Sequence, residues 1–260
     1  VRCWNQESFC ALFRCSILDR ADNTAAITGK DGATEQSAVL TGRTLYKDGK
    51  WNTLCLPFDV TISGSALDGA EARELTDASI SGTTLNLTFG QPVSVLKAGT
   101  PYIIKWTKDY YYKDNDTYNI VSPVFKGVTV SNAANDFDNN ASGDSRVRFV
   151  GSYATTTFSG NDYSILLMGG GNTLYYPGNG AGLGAQRAYF KIGQDGIQPA
   201  RHLTGFNISF GDDVTTGISG ILDNSWADNG QWYDLNGRKL NGTPTVKGVY
   251  LKDGRKVVIK

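Results

Sequence analysis

The chain has 260 residues, 25 basic and 25 acidic side chains and a formal net charge of zero. It is long enough for one large domain or two ordinary ones. The balanced charge excludes the electrostatic footprint of a nucleic-acid binder or of a protein drawn to an anionic membrane surface.

There are 31 glycines against one methionine and one histidine. Ser, Thr, Asn, Asp and Gly recur between short apolar runs, the pattern of a turn-rich β protein. The 13 tyrosines exceed what a minimal core requires. In exported β proteins such surplus rings reach the surface, where an apolar face with a polar tip suits sugars or partners. No segment approaches the roughly 20 apolar residues that span a bilayer.

Residues 1–17 differ in character from the rest of the chain. Val1–Arg20 lacks the continuous apolar region of a signal peptide, so the chain reads as a mature form or a fragment. Cys3, Cys10 and Cys15 crowd this segment and Cys55 stands apart. The first three are either a disulfide set in an oxidising compartment or incidental thiols on a terminus; Cys55 reads as a buried free thiol. No Cys-x-x-Cys pair exists and His202 is alone, so zinc spacing is missing.

Strand signals then run almost continuously, with β-branched or aromatic residues in partial alternation. They cover Ser37–Leu45, Thr53–Phe58, Thr84–Phe89, Pro101–Trp106 and Phe125–Val130, then Arg146–Gly151, Tyr163–Met168, Arg187–Ile192 and Leu203–Phe210. Asp48-Gly49 and Asp253-Gly254 stand between strand-like flanks as hairpin turns, with Asn236-Gly237 and Asn241-Gly242 alongside. Ala66–Leu75 is the one helix candidate, but Gly69 interrupts it and its alternation favours a strand. Lys108–Tyr118, Ser131–Ser145 and the glycine-rich Gly169–Gly184 read as long loops.

These elements predict an all-β fold: an antiparallel β-sandwich body over residues 18–214, built as one unit or as two sandwich-like halves. Beyond it come a linker at 215–230 and a small C-terminal β module at 231–260. Trp232–Leu240, Gly248–Lys252 and Arg255–Ile259 suit a meander with a basic exterior.

The run Leu45-Tyr46-Lys47-Asp48-Gly49-Lys50-Trp51-Asn52-Thr53-Leu54-Cys55-Leu56-Pro57-Phe58-Asp59-Val60 resembles a segment of secreted and surface proteins of gut and oral Bacteroidota. Asn172–Pro177 with Arg187–Phe190, and Phe206–Gly211 leading into Thr215–Ile218, match the same group. The closing run from Trp232 through Lys239-Leu240, Lys247–Leu251 and Arg255–Lys260 resembles the C-terminal sorting domain of type IX secretion substrates. The resemblance covers Leu18 to Lys260 and leaves out residues 1–16. It implies a secreted or cell-surface protein whose C-terminus engages the secretion machinery. Such regions accompany many activities, so it implies destination more than chemistry.

The sequence holds no complete catalytic signature. A Ser-His-Asp or Cys-His arrangement would have to use His202, and no Gly-x-Ser-x-Gly elbow is present; a capping or surface histidine is the better reading. Gly178-x-Gly180-x-Gly182-x-Gly184 has the glycine density of a phosphate loop but no Lys-Ser/Thr and no helix after it. Asp136, Asp138 and Asp144 have calcium-like spacing, yet Ala141 and Val147 occupy the EF-hand Gly and Glu positions. A looser Ca2+ site there, or on Asp109, Asp114 and Asp116, stays open, and no other cofactor is expected.

Glycoside hydrolysis needs two carboxylates, and Asp59, Glu71, Glu74, Asp162 and Asp234 offer no identifiable pair. Sugar binding asks for less: exposed rings that stack on pyranose faces, with polar neighbours for the hydroxyls. Trp106 with Tyr110, Tyr111 and Tyr112, and Tyr175 with Tyr176, have that composition. Alternation keeps neighbouring tyrosines from all pointing inward. The same rings would equally suit a sheet edge or the space between sheets. The expected function is therefore a non-catalytic glycan-binding or adhesive accessory protein recognising a glycan or cell-surface polysaccharide. The alternatives are a glycoside hydrolase or a purely structural export and anchoring region.

Overall fold

The computed structural model describes residues 14–107, 118–160, 162–169, 172–200 and 202–210. Beyond them it describes Pro244 and the strand residues 219–220, 222–223, 232–233, 239–240, 248–252 and 255–259. The fold is all-β, with one five-residue α-helix, Thr24–Thr28, among the described residues. No helix among them is long and apolar enough to cross a membrane.

A central six-stranded sheet runs in the order Ser219–Gly220, Gly205–Ser209, Thr84–Phe89, Ala70–Ser81, Pro101–Trp106, Asn52–Cys55. A second six-stranded sheet runs Phe137–Asp138, Val147–Ser152, Arg187–Ile192, Ile165–Gly169, Thr173–Tyr176, Leu222–Asp223. A three-stranded sheet holds Arg14–Leu18, Gln36–Thr41 and Val124–Val128. Most pairings are antiparallel. Arg14–Leu18 with Gln36–Thr41, Thr84–Phe89 with Gly205–Ser209, and Thr173–Tyr176 with Leu222–Asp223 are parallel.

Two-residue periodicity explains how one sheet serves two cores. Along Pro101–Trp106, Tyr102, Ile104 and Trp106 enter a core with Ala38, Leu40 and Phe125 of the three-stranded sheet. Ile103 points the other way, into a core with Phe149 and Phe190 of the second sheet. The body is thus two sandwich-like halves sharing the central sheet. Phe149 and Phe190 stack at 4.6 Å, and Phe89 meets Phe149 edge-on at 6.2 Å. Burying each such ring contributes about 1.5–3 kcal/mol.

Several local expectations are sharpened. Ala66–Leu75 is not a helix: Gly69 turns the chain at φ +75°, and a strand runs from Ala70 to Ser81. Ser37–Leu45 breaks at Gly42, with φ +81°, so that its two parts join different sheets. The turn at Asp48-Gly49 forms, but its flanks do not pair with each other as a hairpin. Thr44–Leu45 pairs with Ile120–Val121, and Asn52–Cys55 pairs with Pro101–Trp106. The helix Thr24–Thr28 leaves no mark in the sequence pattern, because five residues are too few to show a helical period.

Within residues 215–230, Ser219–Gly220 and Leu222–Asp223 extend the two large sheets. At the C-terminus, Trp232–Tyr233, Lys239–Leu240, Gly248–Lys252 and Arg255–Ile259 form a four-stranded antiparallel sheet. Lys252 pairs with Arg255, while Asp253 and Gly254, expected as a hairpin turn, lie outside the described residues.

Candidate functional site

A cleft of about 450 Å³ opens where the edge strand Asn52–Cys55 of the central sheet meets Arg187–Ile192 of the second sheet. Hydrogen bonds join the two strands. Ala188 N donates to Thr53 Oγ1 at 3.0 Å, and Cys55 N donates to the Gln186 carbonyl at 3.3 Å.

One wall is the segment from Arg43 to Asn52. Its turn is set by Lys50 N donating to Asp48 Oδ1 at 3.0 Å and by Gly49 at φ +78°. Trp51 N donates to Asn172 Oδ1 at 2.8 Å, which ties this wall to the turn before Thr173–Tyr176. The opposite wall is Leu167–Gly169, Tyr175 and Gly182–Gly184.

The cleft is positively charged. Arg20, Arg43, Lys50 and Arg187 line it, and Asp48 is the one carboxylate among the described lining residues. A second carboxylate, the buried Asp19, accepts from Arg187 Nη1 and lies 3.6 Å from Arg20 Nε. Asn23 holds the turn carrying Asp19 and Arg20. Its Oδ1 accepts from Leu18 N at 2.8 Å, and its Nδ2 donates to the carbonyls of Leu18, Ala21 and Tyr153.

Gly184 makes room for the guanidinium: a Cβ there would sit 2.0 Å from Arg187 Nη1 and 2.9 Å from the Asp19 carbonyl. Arg43 is only 3% exposed. Its Nη2 donates to the Thr53 carbonyl at 3.0 Å, while its Nε has no hydrogen-bond partner. Burial, together with the neighbouring Arg187 charge, draws the Arg43 pKa down to about 9, against the pull of Asp19 and Tyr46.

Aromatic rings share the lining. Tyr46 is 50% exposed and Tyr175 is half-buried. Trp51 is buried, with Lys105 Nζ 4.3 Å from its ring centre. The Tyr175 ring lies against Gly169, where an added Cβ would come within 2.9 Å of it. Tyr46, Tyr175, Arg43, Arg187 and Asn52 thus line one opening.

The residues anticipated for sugar binding divide. Tyr175 lines the cleft. Tyr176, its neighbour, points the other way and is 2% exposed; its OH donates to the Leu203 carbonyl at 3.2 Å. Trp106 is not a surface platform either. It is 4% exposed in the first core, and its Nε1 donates to the Asp68 carbonyl at 3.0 Å. Tyr110, Tyr111 and Tyr112 lie outside the described residues, as do Asp109, Asp114 and Asp116.

The three carboxylates with calcium-like spacing do not converge, because each holds a different element. Asp136 accepts from Gly151 N at 2.8 Å, Asp138 pairs with Arg146, and Asp144 accepts from Ala200 N at 2.9 Å. Among the described residues no three His, Cys, Asp or Glu side chains gather.

Of the acids weighed as a hydrolytic pair, Glu74 is exposed on the strand Ala70–Ser81, and three others are engaged separately. Asp59 binds Lys97, Glu71 binds Arg73 and Lys105, and Asp162 accepts from Ser164 and Gln198. Asp234 lies outside the described residues. His202 is exposed and rests on the rings of Tyr163 and Tyr176, at 4.3 and 4.9 Å. Cys55 is a buried free thiol, as is Cys15; Cys3 and Cys10 lie outside the described residues.

Sequence reasoning missed Arg43, Arg187, Gly184 and Tyr46. Tyr46 and Trp51 flanking the Asp-Gly turn were a usable signal; the arginines, on separate strands, left none. No family model matches the chain, and no curated protein or solved structure matches it either, so the reading of the cleft rests on its own geometry and chemistry.

Proposed function

We propose that the protein is an extracellular or cell-surface accessory module that binds glycan without cleaving it. The observation carrying this reading is the cleft, where the rings of Tyr46 and Tyr175 sit beside Arg43, Arg187, Lys50 and Asn52. A pyranose presents an apolar face that stacks on such rings and hydroxyls that need fixed polar partners. The cleft is built on strands tied together at Thr53 and Ala188, so its groups are held in place before a ligand arrives. Binding is preferred to hydrolysis because Asp48 is the single described lining carboxylate, whereas hydrolysis requires a pair across the glycosidic bond. The four-stranded C-terminal unit serves in this reading as the delivery module that engages secretion machinery, on the strength of its sequence resemblance.

A glycan array and pull-downs on insoluble polysaccharides test the proposal, with wild type beside a Tyr46→Ala/Tyr175→Ala double variant. The wild type should be retained by at least one glycan class, and the double variant should bind that class about tenfold more weakly, given about 0.5–1.5 kcal/mol per lost ring contact. Absence of affinity for every glycan ends the reading.

A further inference from the structure

We infer that the ligand of this cleft is an acidic glycan, whose carboxylate or sulfate group is received between Arg43 and Arg187. The inference rests on the glycan-binding reading and adds the class of sugar. Three observations carry it.

The first is the charge count: among the described lining residues four side chains are cationic and one, Asp48, is a carboxylate, and that acid already lies 4.0 Å from Lys50 Nζ. The second is Asp19. It stands beside the arginines, but it is engaged by Arg187 and Arg20. The third is Arg43 itself, almost wholly buried in a wall of the cleft, with an Nε that has no partner.

A guanidinium out of water is costly unless its N–H groups and its charge are met. The fork geometry of arginine suits a planar carboxylate or a sulfate, which can take two parallel hydrogen bonds. Burial first, and then the nearby Arg187 charge, disfavour the charged form of Arg43, and a bound anion would offset both. A neutral sugar would leave that charge unmet. Exposed Arg20 and Lys50 at the rim would attract the same ligand and make its binding salt-dependent.

The test is affinity electrophoresis of the intact protein in gels that carry matched polysaccharides. Polygalacturonate against its fully methyl-esterified form probes carboxylate, and dextran sulfate against dextran probes sulfate. The charged member of one pair should retard the protein about tenfold more strongly than its neutral partner, and high salt should weaken it. The responding pair identifies the acidic group.

Arg187→Gln should lose about tenfold in affinity, and an Arg20→Gln/Lys50→Gln double variant, at exposed positions that spare the fold, about two- to fivefold. Lys126→Gln, which removes a charge on the three-stranded sheet, should change nothing. Equal retardation by charged and neutral members overturns this inference while leaving the glycan-binding reading intact. Full retention of acidic glycan by both cleft variants, with native circular dichroism, also overturns it. Retardation by none of the four polysaccharides overturns this inference, and the glycan array then decides the binding reading separately.

Discussion

Ala188 N donates to Thr53 Oγ1 across 135 residues of sequence, and with the bond from Cys55 N to the Gln186 carbonyl it ties the edge of the central sheet to the second sheet. An edge strand otherwise leaves a row of unpaired backbone groups. Here the Cys55 N–H donates to the Gln186 carbonyl and the Thr53 carbonyl accepts from Arg43 Nη2, so part of that row is satisfied.

Thr53→Val keeps the shape and the strand preference but strands the buried Ala188 N–H. Loss of its partner should cost about 1–3 kcal/mol. Thr53→Ser should recover most of that. Urea unfolding of the three proteins measures it, and equal midpoints for all three would refute the role assigned to the hydroxyl.

Gly151 and Cys55 should be energetically coupled. A Cβ on Gly151 would stand 2.4 Å from Cys55 Sγ and 3.0 Å from its Cβ. Gly151→Ala should therefore destabilise by about 1–3 kcal/mol through overpacking. Cys55→Ala clears the space, so the double variant should be more stable than the summed single effects by about 0.5–3 kcal/mol. Strict additivity in a double-mutant cycle would show that the chain moves out of the way.

Acid sensitivity should run partly through Asp138. Hydrogen bonds from the Arg146 side chain hold its carboxyl below the ordinary carboxylate range, with a further bond from Asn140 N. Because the folded value is lowered, its contribution is fully present above the unfolded value of about 4 and is lost as pH falls through the folded value. The stability gap between wild type and Asp138→Asn should shrink as pH drops from about 5 to about 2. A gap that stays constant across that range would exclude the ion pair as its source.

Much of the fold was legible wherever one face of a strand is buried. Thr84–Phe89 and Arg187–Ile192 alternate between half-buried and buried along their whole length, as their side chains suggest. The same period separates Tyr175 from Tyr176, one lining the cleft and one in the core. Trp106 shows the limit. Alternation assigns a residue to a face, but what covers that face is set by distant segments: the three-stranded sheet and the Asp68 carbonyl.

The arginines of the cleft were illegible for a related reason. Arg43 comes just after Gly42 at the end of one strand and Arg187 begins another, and only the joining of the two sheets brings both to one opening. The hairpin expected around Asp48-Gly49 failed because a turn sequence specifies the reversal, while partner choice is set by core packing.

The place of the C-terminal module can be tested by truncation. Removing residues 231–260 spares Ser219–Gly220 and Leu222–Asp223, which extend the two large sheets. That deletion should leave the body folded and abolish surface display. Removing residues 215–260 should also lower the melting temperature, because both edge pairings go. Unchanged display after the shorter deletion would contradict the delivery role.

Hydrogen–deuterium exchange, with and without the glycan that the protein retains best, tests the central claim most directly. Bound ligand should slow exchange at residues 43–53 and 182–188, the two walls that carry Tyr46, Arg43 and Arg187, and leave the strand 124–128 unchanged. Protection confined to other parts of the chain, or none anywhere, would contradict the assignment of this cleft as the binding site.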